Sequence, residues 1–404
     1  MQFNRWQLMG GMLFLGGAAL IALTLFPSFP AIFPAVTATL EPVPVSVTVT
    51  MFPVPTGTPE PLVPTATAPF PSATMPSPSP IATVEVIVPP PSDTLPSARD
   101  FRFPEHELWR LGVSVPVDSP ALYDLAALRV GWVMNWGALY SPPVPAGVEF
   151  FQTVRFKGET LYPNVGTLTA IAATNPGATW LVSNEADVRW QDNVPPEVYV
   201  ALYHDAYTAI KAGDPGAIIA AGGIAQPTPL RLQYLDLVLE GYLRAYGELL
   251  PAQAWHIHNY MLREERDSWG VDIPPGLPDA TGTLYEIDDS GNLDVFQSQI
   301  WAFRRWMTER GYGGLPLLVS EFGIPMPEDY GFPLERVQTF LRETWDFFLT
   351  ATDMALGDAT DSGRLVQAWC WYSMGDPNYA TGNLVNLDSF VWTPLGQAWI
   401  QLVE

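Results

Sequence analysis

The sequence contains a single cysteine, Cys370, so it can form neither an intrachain disulfide nor a metal site built from several thiolates. Lysine and arginine number only 19 of 404 residues, against 42 aspartates and glutamates, which gives a formal net charge of −23. The basic residues form no cluster that could neutralise nucleic-acid phosphates, and this much negative charge opposes docking on anionic lipid. We therefore expect no nucleic-acid partner.

Histidine is also scarce, with four in the chain. His256 and His258 are spaced i, i+2, which places both on one face of a strand and is typical of the paired histidines of metal-dependent barrel hydrolases. Such sites need further histidines on later strands, and the other two, His106 and His204, both come earlier in the chain. We expect no metal ion and no other cofactor, and a metal hydrolase is the minor alternative.

The N-terminal quarter is predicted to lie outside the folded domain. Residues 8–26 carry no charge and, at about 19 residues, are long enough to span a bilayer as a helix. Because Arg5 is the nearest positive charge, the tail at 1–7 should stay cytoplasmic and the rest of the chain be exported. A cleaved signal peptide, cut near residues 35–38, is the alternative. Residues 27–99 are rich in Pro, Thr and Ser and predict a disordered, partly polyproline II stalk.

Residues 100–404 form the predicted domain, in which short apolar runs alternate with segments of helical periodicity. Eight runs are predicted strands: Leu108–Val115, Arg129–Trp136, Phe150–Phe156, Thr179–Asn184, Ala217–Gly222, Ala254–Asn259, Pro316–Glu321 and Leu365–Tyr372. Helices are predicted at Glu197–Ala212, Leu230–Tyr246, Leu293–Arg310 and Leu334–Thr350.

Eight alternations of strand and helix predict an α/β fold of the (β/α)8 TIM-barrel type. An open, doubly wound sheet is the alternative, but no glycine-rich phosphate loop follows the first run. The connections after the second and third runs are short or irregular, so a helix is expected to be missing there. The long segment at 261–293 is expected to be a lid or a binding loop.

Two glutamates stand at predicted strand ends, where a barrel of this kind carries its working residues. Glu185 follows the fourth run and Glu321 ends the seventh. A pair of carboxylates is what cleavage of a glycosidic bond requires. Other candidates for contact with a sugar stand at the strand ends, namely Trp136, Asn184, Trp190, His258, Tyr260 and Trp371.

Four short motifs resemble the clan A glycoside hydrolases, namely Asn-Glu at 184–185, His-x-Tyr at 258–260, Ser-Glu-Phe at 320–322 and Trp371. Within that clan the chain is similar to the small catalytic cores that include endo-acting β-1,3-glucanases and the Asl1-like proteins.

The resemblance implies a role for each matched residue. Glu185 would be the acid/base and Glu321 the nucleophile of a retaining mechanism. Asn184 would bond a sugar hydroxyl, and Tyr260 would contact the nucleophile. The pattern departs from the family at Ala186, where a proline is usual.

The predicted function is an extracellular, membrane-tethered glycoside hydrolase acting on a polysaccharide or oligosaccharide. Because fold does not determine function, and because of Ala186, the alternative is a non-catalytic carbohydrate-binding or cell-wall-associated protein on the same scaffold.

Overall fold

The computed structural model describes residues 101–116 and 120–404. The predicted tail, membrane span and stalk at 1–99 lie outside the described residues. Within the described part of the chain, no helix combines the length and apolar character needed to cross a membrane.

Within the described residues, ten strands form one sheet. They are β1 (Leu111–Ser114), β2 (Trp132–Met134), β3 (Glu149–Phe150), β4 (Gln152–Lys157), β5 (Thr160–Tyr162), β6 (Thr179–Val182), β7 (Ile218–Ile224), β8 (Ala254–His258), β9 (Leu317–Phe322) and β10 (Ala368–Trp371). Their order is β3-β2-β1-β10-β9-β8-β7-β6-β4-β5, and only the pair β4–β5 is antiparallel. Residues 108–110, predicted to begin the first strand, instead belong to a 3-10 helix at Glu105–Arg110.

The two ends of this sheet belong to one continuous piece of chain. Only Phe151 separates β3 from β4; β3 pairs with β2, and β4 pairs with β6. The piece 149–157 therefore acts as one strand that joins both edges and closes the sheet. The predicted α/β barrel of parallel strands is thus confirmed.

Seven α-helices lie among the described residues: α1 (Leu125–Leu128), α2 (Val165–Thr174), α3 (Pro196–Gly213), α4 (Pro229–Tyr246), α5 (Leu293–Glu309), α6 (Leu334–Thr350) and α7 (Pro394–Val403). The four predicted helices correspond to α3 through α6. Pro196 and Pro229 begin α3 and α4, where the missing N–H of proline has no helical partner to lose. No α-helix of the described chain lies between β2 and β3, as expected. The connection after the third predicted strand does contain a helix, because β5 is followed by α2, so the expectation of a missing helix is wrong there.

Alternate residues of each strand fill two different layers, because successive side chains point to opposite faces. On β10, Ala368 and Cys370 join a small cluster inside the barrel, together with Trp132 and Leu181 of other strands. Their neighbour Trp369 faces the helices and joins the large core. Parity along a strand therefore decides which side chains reach the mouth of the barrel.

Candidate active site

Several of the acidic and aromatic residues predicted at strand ends converge at one mouth of the barrel. Glu185 follows β6, Tyr260 follows β8, and Glu321 lies near the end of β9. All three side chains are buried, yet all three contribute to the wall of an open cleft. This is the mouth at which the carboxyl ends of parallel strands meet.

Glu185 is held in place through its backbone. Its N–H donates to the carbonyl of Gly223 at 2.6 Å, and its φ of 51° lies in the left-handed region, which is uncommon for a residue other than glycine. Gly223, with φ 70°, allows this approach, because a Cβ there would lie 2.7 Å from the carbonyl oxygen of Ser183. The turn after β6 is therefore shaped to present the Glu185 side chain to the cleft.

Glu321 is turned into the barrel by an irregularity in β9. Ile257 pairs with Val319, but the next residue of β8, His258, pairs with Glu321. The register of β9 against β10 also shifts at this point. An extra residue in one strand re-aims the side chain beside it, which places Glu321 on the same face as His258.

Both carboxylate oxygens of Glu321 accept hydrogen bonds. The Trp136 indole Nε1–H donates to Oε1 at 2.6 Å, and the Tyr260 hydroxyl donates to Oε2 at 3.0 Å. Such donors favour the ionised form of a carboxyl group and fix its orientation.

His258 lies between the two glutamates. Its Nδ1 is 3.0 Å from Oε1 of Glu185 and hydrogen-bonds with it, and its Nε2 is 3.2 Å from Oε1 of Glu321. Because one imidazole spans both contacts, these two carboxylate oxygens can be no more than about 8 Å apart, a limit that covers both the retaining and much of the inverting range.

Burial and charge shift the pKa of Glu321 in opposite directions. Burial, with the nearby charge of Glu185, raises the pKa of this carboxyl, whereas His258, Trp136 and Tyr260 lower it, and the net direction is upward. The donors around Glu321 therefore offset only part of the cost of burying its charge.

The two neighbours of Glu321 respond differently to the same surroundings. Burial lowers the pKa of the His258 imidazole, but the two glutamates raise it by more, so the net direction is upward. Burial raises the pKa of the Tyr260 phenol well above its usual range, so this hydroxyl keeps its proton and stays a donor.

His256, the other histidine of β8, belongs to the barrel interior and contacts neither catalytic candidate. Its ring nitrogens lie 3.0 Å from Ser320 Oγ and 3.3 Å from the carbonyl of Val182. Burial lowers its pKa to about 3, so the ring is neutral. The described residues include no group of three or more His, Cys, Asp or Glu side chains arranged to hold a metal ion.

Three of the predicted sugar-binding residues are placed as follows. Asn184 is buried beside Glu185, and its backbone N–H donates to Asp192 at 2.9 Å. Trp190 lines the cleft, with the Arg189 guanidinium 4.8 Å from its ring centroid. Trp136 contributes its N–H to Glu321, and its half-buried ring lies 5.9 Å from that of Tyr372.

Two predicted sugar contacts are corrected by the structure. Trp371 is fully buried, donates its indole N–H to the carbonyl of Gly382 at 2.8 Å and packs against Phe322. It shares the outward parity of Trp369, whereas Tyr372, one residue on, reaches the cleft. His258 is buried between the two glutamates and is not among the described residues that line the cleft.

Several cleft residues carried no recognisable signal in the sequence. They are Gln191, Trp269, Tyr372, Asp376 and Tyr379. Trp269 belongs to the long segment expected to be a lid or binding loop. Tyr372 could have been found by applying strand parity from Cys370, which faces the barrel interior.

The long segment at 261–293 forms a wall of the cleft and is tied down by Arg231. This fully buried guanidinium pairs with Asp187 and with Glu264, the latter at 2.8 Å. It also donates to the carbonyls of Val271 and Asp272, at 3.1 and 2.9 Å. One side chain of α4 therefore joins the turn that carries Glu185 to the wall opposite it.

A search of solved structures found glycoside hydrolases that are similar to this chain. A subgroup II endo-β-1,3-glucanase of glycoside hydrolase family 128 from Pseudomonas viridiflava matches with a TM-score of 0.50 and 18% identity, covering 72% of this chain and 97% of that one. A subgroup I endo-β-1,3-glucanase from Amycolatopsis mediterranei, in complex with laminaritriose, has a TM-score of 0.48 and 18% identity, over 72% and 99% of the two chains.

At these identities the first of the two structures shows a common fold. The resemblance to clan A barrel glycoside hydrolases, inferred from four short motifs, is thereby confirmed for the architecture. No protein-family model matches the chain, and no curated protein matches its sequence.

Proposed function

We propose that the protein is a glycoside hydrolase that cleaves O-glycosidic bonds of a polysaccharide or oligosaccharide. The observation that carries this proposal is the convergence of Glu185 and Glu321 on one imidazole, at the mouth of a barrel and in an aromatic cleft. The endo-β-1,3-glucanase from Pseudomonas viridiflava shares the fold, which makes β-1,3-glucan the first substrate to test.

In the proposed mechanism, Glu321 attacks the anomeric carbon while Glu185 protonates the leaving oxygen. The resulting glycosyl ester on Glu321 is then hydrolysed by a water whose proton passes to Glu185, and the configuration is retained. Tyr260 and Trp136 would aim the nucleophile and favour its ionised form before attack.

The charge of the cleft favours a neutral sugar. Glu185, Glu321 and Asp376 all line it, and no lysine or arginine is among the described residues that do so. A uronic acid or sulfated sugar would meet acidic groups and, among the described lining residues, no cation. We therefore expect the protein to cleave neutral glycans and not acidic ones.

The test is hydrolysis of soluble β-1,3-glucan, followed by a panel of other β-glucans, mannans, xylans and galactans, by wild type, Glu321→Ala and Glu185→Ala. Both substitutions should abolish cleavage without unfolding the domain. Glu328→Ala is the matched control, because this carboxylate is exposed in the segment that follows β9. Full activity in Glu321→Ala would overturn the assignment, and saccharide binding without cleavage by the wild type would favour the non-catalytic alternative.

We also propose that the domain is held outside the cell by the apolar segment at 8–26. The support is the sequence, since this segment is long enough to span a bilayer and Arg5 precedes it. Fractionation of cells that express residues 1–404 or residues 27–404 tests this membrane anchor. We expect only the longer protein to sediment with membranes. A mature N-terminus near residues 35–38 would instead support a cleaved signal peptide.

A further inference from the structure

Two contacts of His258 involve carboxylates. Each contact sets a ring nitrogen about 3 Å from a carboxylate oxygen, at 3.0 Å for Glu185 and 3.2 Å for Glu321. The contact with Glu185 is a hydrogen bond and needs a proton between its two atoms, whereas the contact with Glu321 is at ion-pair distance. The second contact is therefore attractive when the imidazole is charged.

Two arrangements of equal charge fit the hydrogen bond between His258 and Glu185. Either His258 is an imidazolium beside two carboxylates, or it is neutral and Glu185 carries the second proton. Both arrangements hold the same number of protons and the same net charge of one negative unit. A proton can therefore move along the contact between Glu185 and His258 without changing the charge of the group.

We propose that His258 is a positioning residue that exchanges a proton with Glu185 and holds its charge beside Glu321, so that the three side chains titrate as one unit. This inference rests on the proposed function for its effect on hydrolysis, but the titration itself does not. Interacting groups of this kind lose protons in steps that belong to the set and not to one residue.

Several titratable groups of the described chain lie around His258. Besides the two glutamates, the groups that face it are Tyr260, whose ring packs edge-on at 5.9 Å, and the charge of Asp187, whose own carboxylate is paired with Arg231. His256 lies two residues earlier on β8 and its pKa, lowered by burial to about 3, keeps it neutral. The attraction of two anions exceeds the cost of burial, and the pKa of His258 is raised.

The first experiment compares the pH dependence of kcat/KM in two variants of His258. His258→Asn keeps an amide near the position of Nδ1, beside Glu185, and His258→Gln keeps one near the position of Nε2, beside Glu321. Both remove the positive charge that lowers the pKa of Glu321. We expect the acidic limb of the profile of kcat/KM against pH to move to higher pH. The shift should be about 1–3 units in His258→Asn and smaller in His258→Gln.

His256→Asn is the matched control, because it changes an equally buried histidine of the same strand that touches neither carboxylate. It should lower stability and leave the acidic limb where it is. An unshifted limb in His258→Asn, or an equal shift in His256→Asn, would overturn the proposal.

The second experiment needs neither activity nor a folded His258 variant. With four histidines in the chain, imidazole 15N NMR can follow His258 directly in the wild type and in Glu321→Gln. We expect His258 to titrate above the ordinary value of about 6.5 in the wild type and to fall when the charge of Glu321 is removed. The proposal is refuted if His258 titrates at or below that value in the wild type, or if its titration does not change in Glu321→Gln. A protein that fails to hydrolyse glycans but shows the shift refutes only the proposed function.

Discussion

Replacing Tyr260 by phenylalanine would test whether Glu321 acts as an anion. The phenol donates to Oε2 of Glu321 at 3.0 Å and both side chains are buried, so the variant keeps the ring and removes one donor. A hydrogen bond to a charged group contributes about 1.5–3 kcal/mol, and about 1.4 kcal/mol corresponds to one pKa unit. The loss should therefore raise the pKa of Glu321 by about 1–2 units.

The sign of the effect on activity follows from the role of Glu321. Its pKa is already raised by burial, and the hydrogen bond from Tyr260 opposes that rise. Attack on the sugar needs the ionised form, so the acidic limb of kcat/KM should move to higher pH by the same 1–2 units, as roughly estimated from the lost bond. Initial rates between pH 3 and 9, with the fold checked by circular dichroism at each pH, would measure it.

Two further tryptophan variants sharpen this assay. Trp136→Phe removes the donor to the other oxygen of Glu321, at 2.6 Å, and should move the acidic limb in the same direction. Trp190→Phe changes a cleft tryptophan that makes no hydrogen bond to Glu321, and should raise KM while the limb stays fixed. If the acidic limb of kcat/KM is as unshifted in Tyr260→Phe as in Trp190→Phe, it does not report the ionisation of Glu321. That result would refute the prediction.

Two predictions concern the scaffold of the site. Trp371→Ala should lower the free energy of unfolding by about 3–5 kcal/mol in urea titrations, because the indole is fully buried, whereas Tyr372→Ala should mainly raise KM. A large loss of substrate affinity with unchanged stability in Trp371→Ala would contradict the assignment of Trp371 to the core. Arg231→Met should lower the free energy of unfolding by about 3–5 kcal/mol, because it leaves the buried carboxylates of Asp187 and Glu264 without their paired cation. Stability equal to that of the wild type would show that these carboxylates are neutral.

Strand ends could be predicted because apolar periodicity is a local property. Runs such as Thr179–Val182 are buried along their whole length, as parallel strands covered on both faces are. The end of the apolar run in the sequence therefore marks the end of the strand. Glu185 and Glu321 were found in this way, since charged residues directly after buried runs fall at the mouth of a barrel. The bounds of α3 through α6 followed from proline starts and helical spacing.

The facing of side chains at the mouth could not be predicted so well. Trp371 is predicted as a sugar contact, but strand parity directs Trp369 and Trp371 to the helices and Tyr372 to the cleft. Glu321 reaches the site only because β9 shifts its register against both neighbours, and nothing in the local sequence signals that shift.

The sequence alone determined that this chain builds an α/β barrel with two glutamates at strand ends, because burial patterns and strand lengths are local. The tertiary structure alone decided what those glutamates touch. Trp136 follows β2, His258 and Tyr260 lie at the end of β8, and Glu321 lies on β9, so only closure of the barrel brings these donors within hydrogen-bonding or ion-pair distance of one carboxylate. Contacts between distant strands depend on register and twist, which no short stretch of sequence specifies.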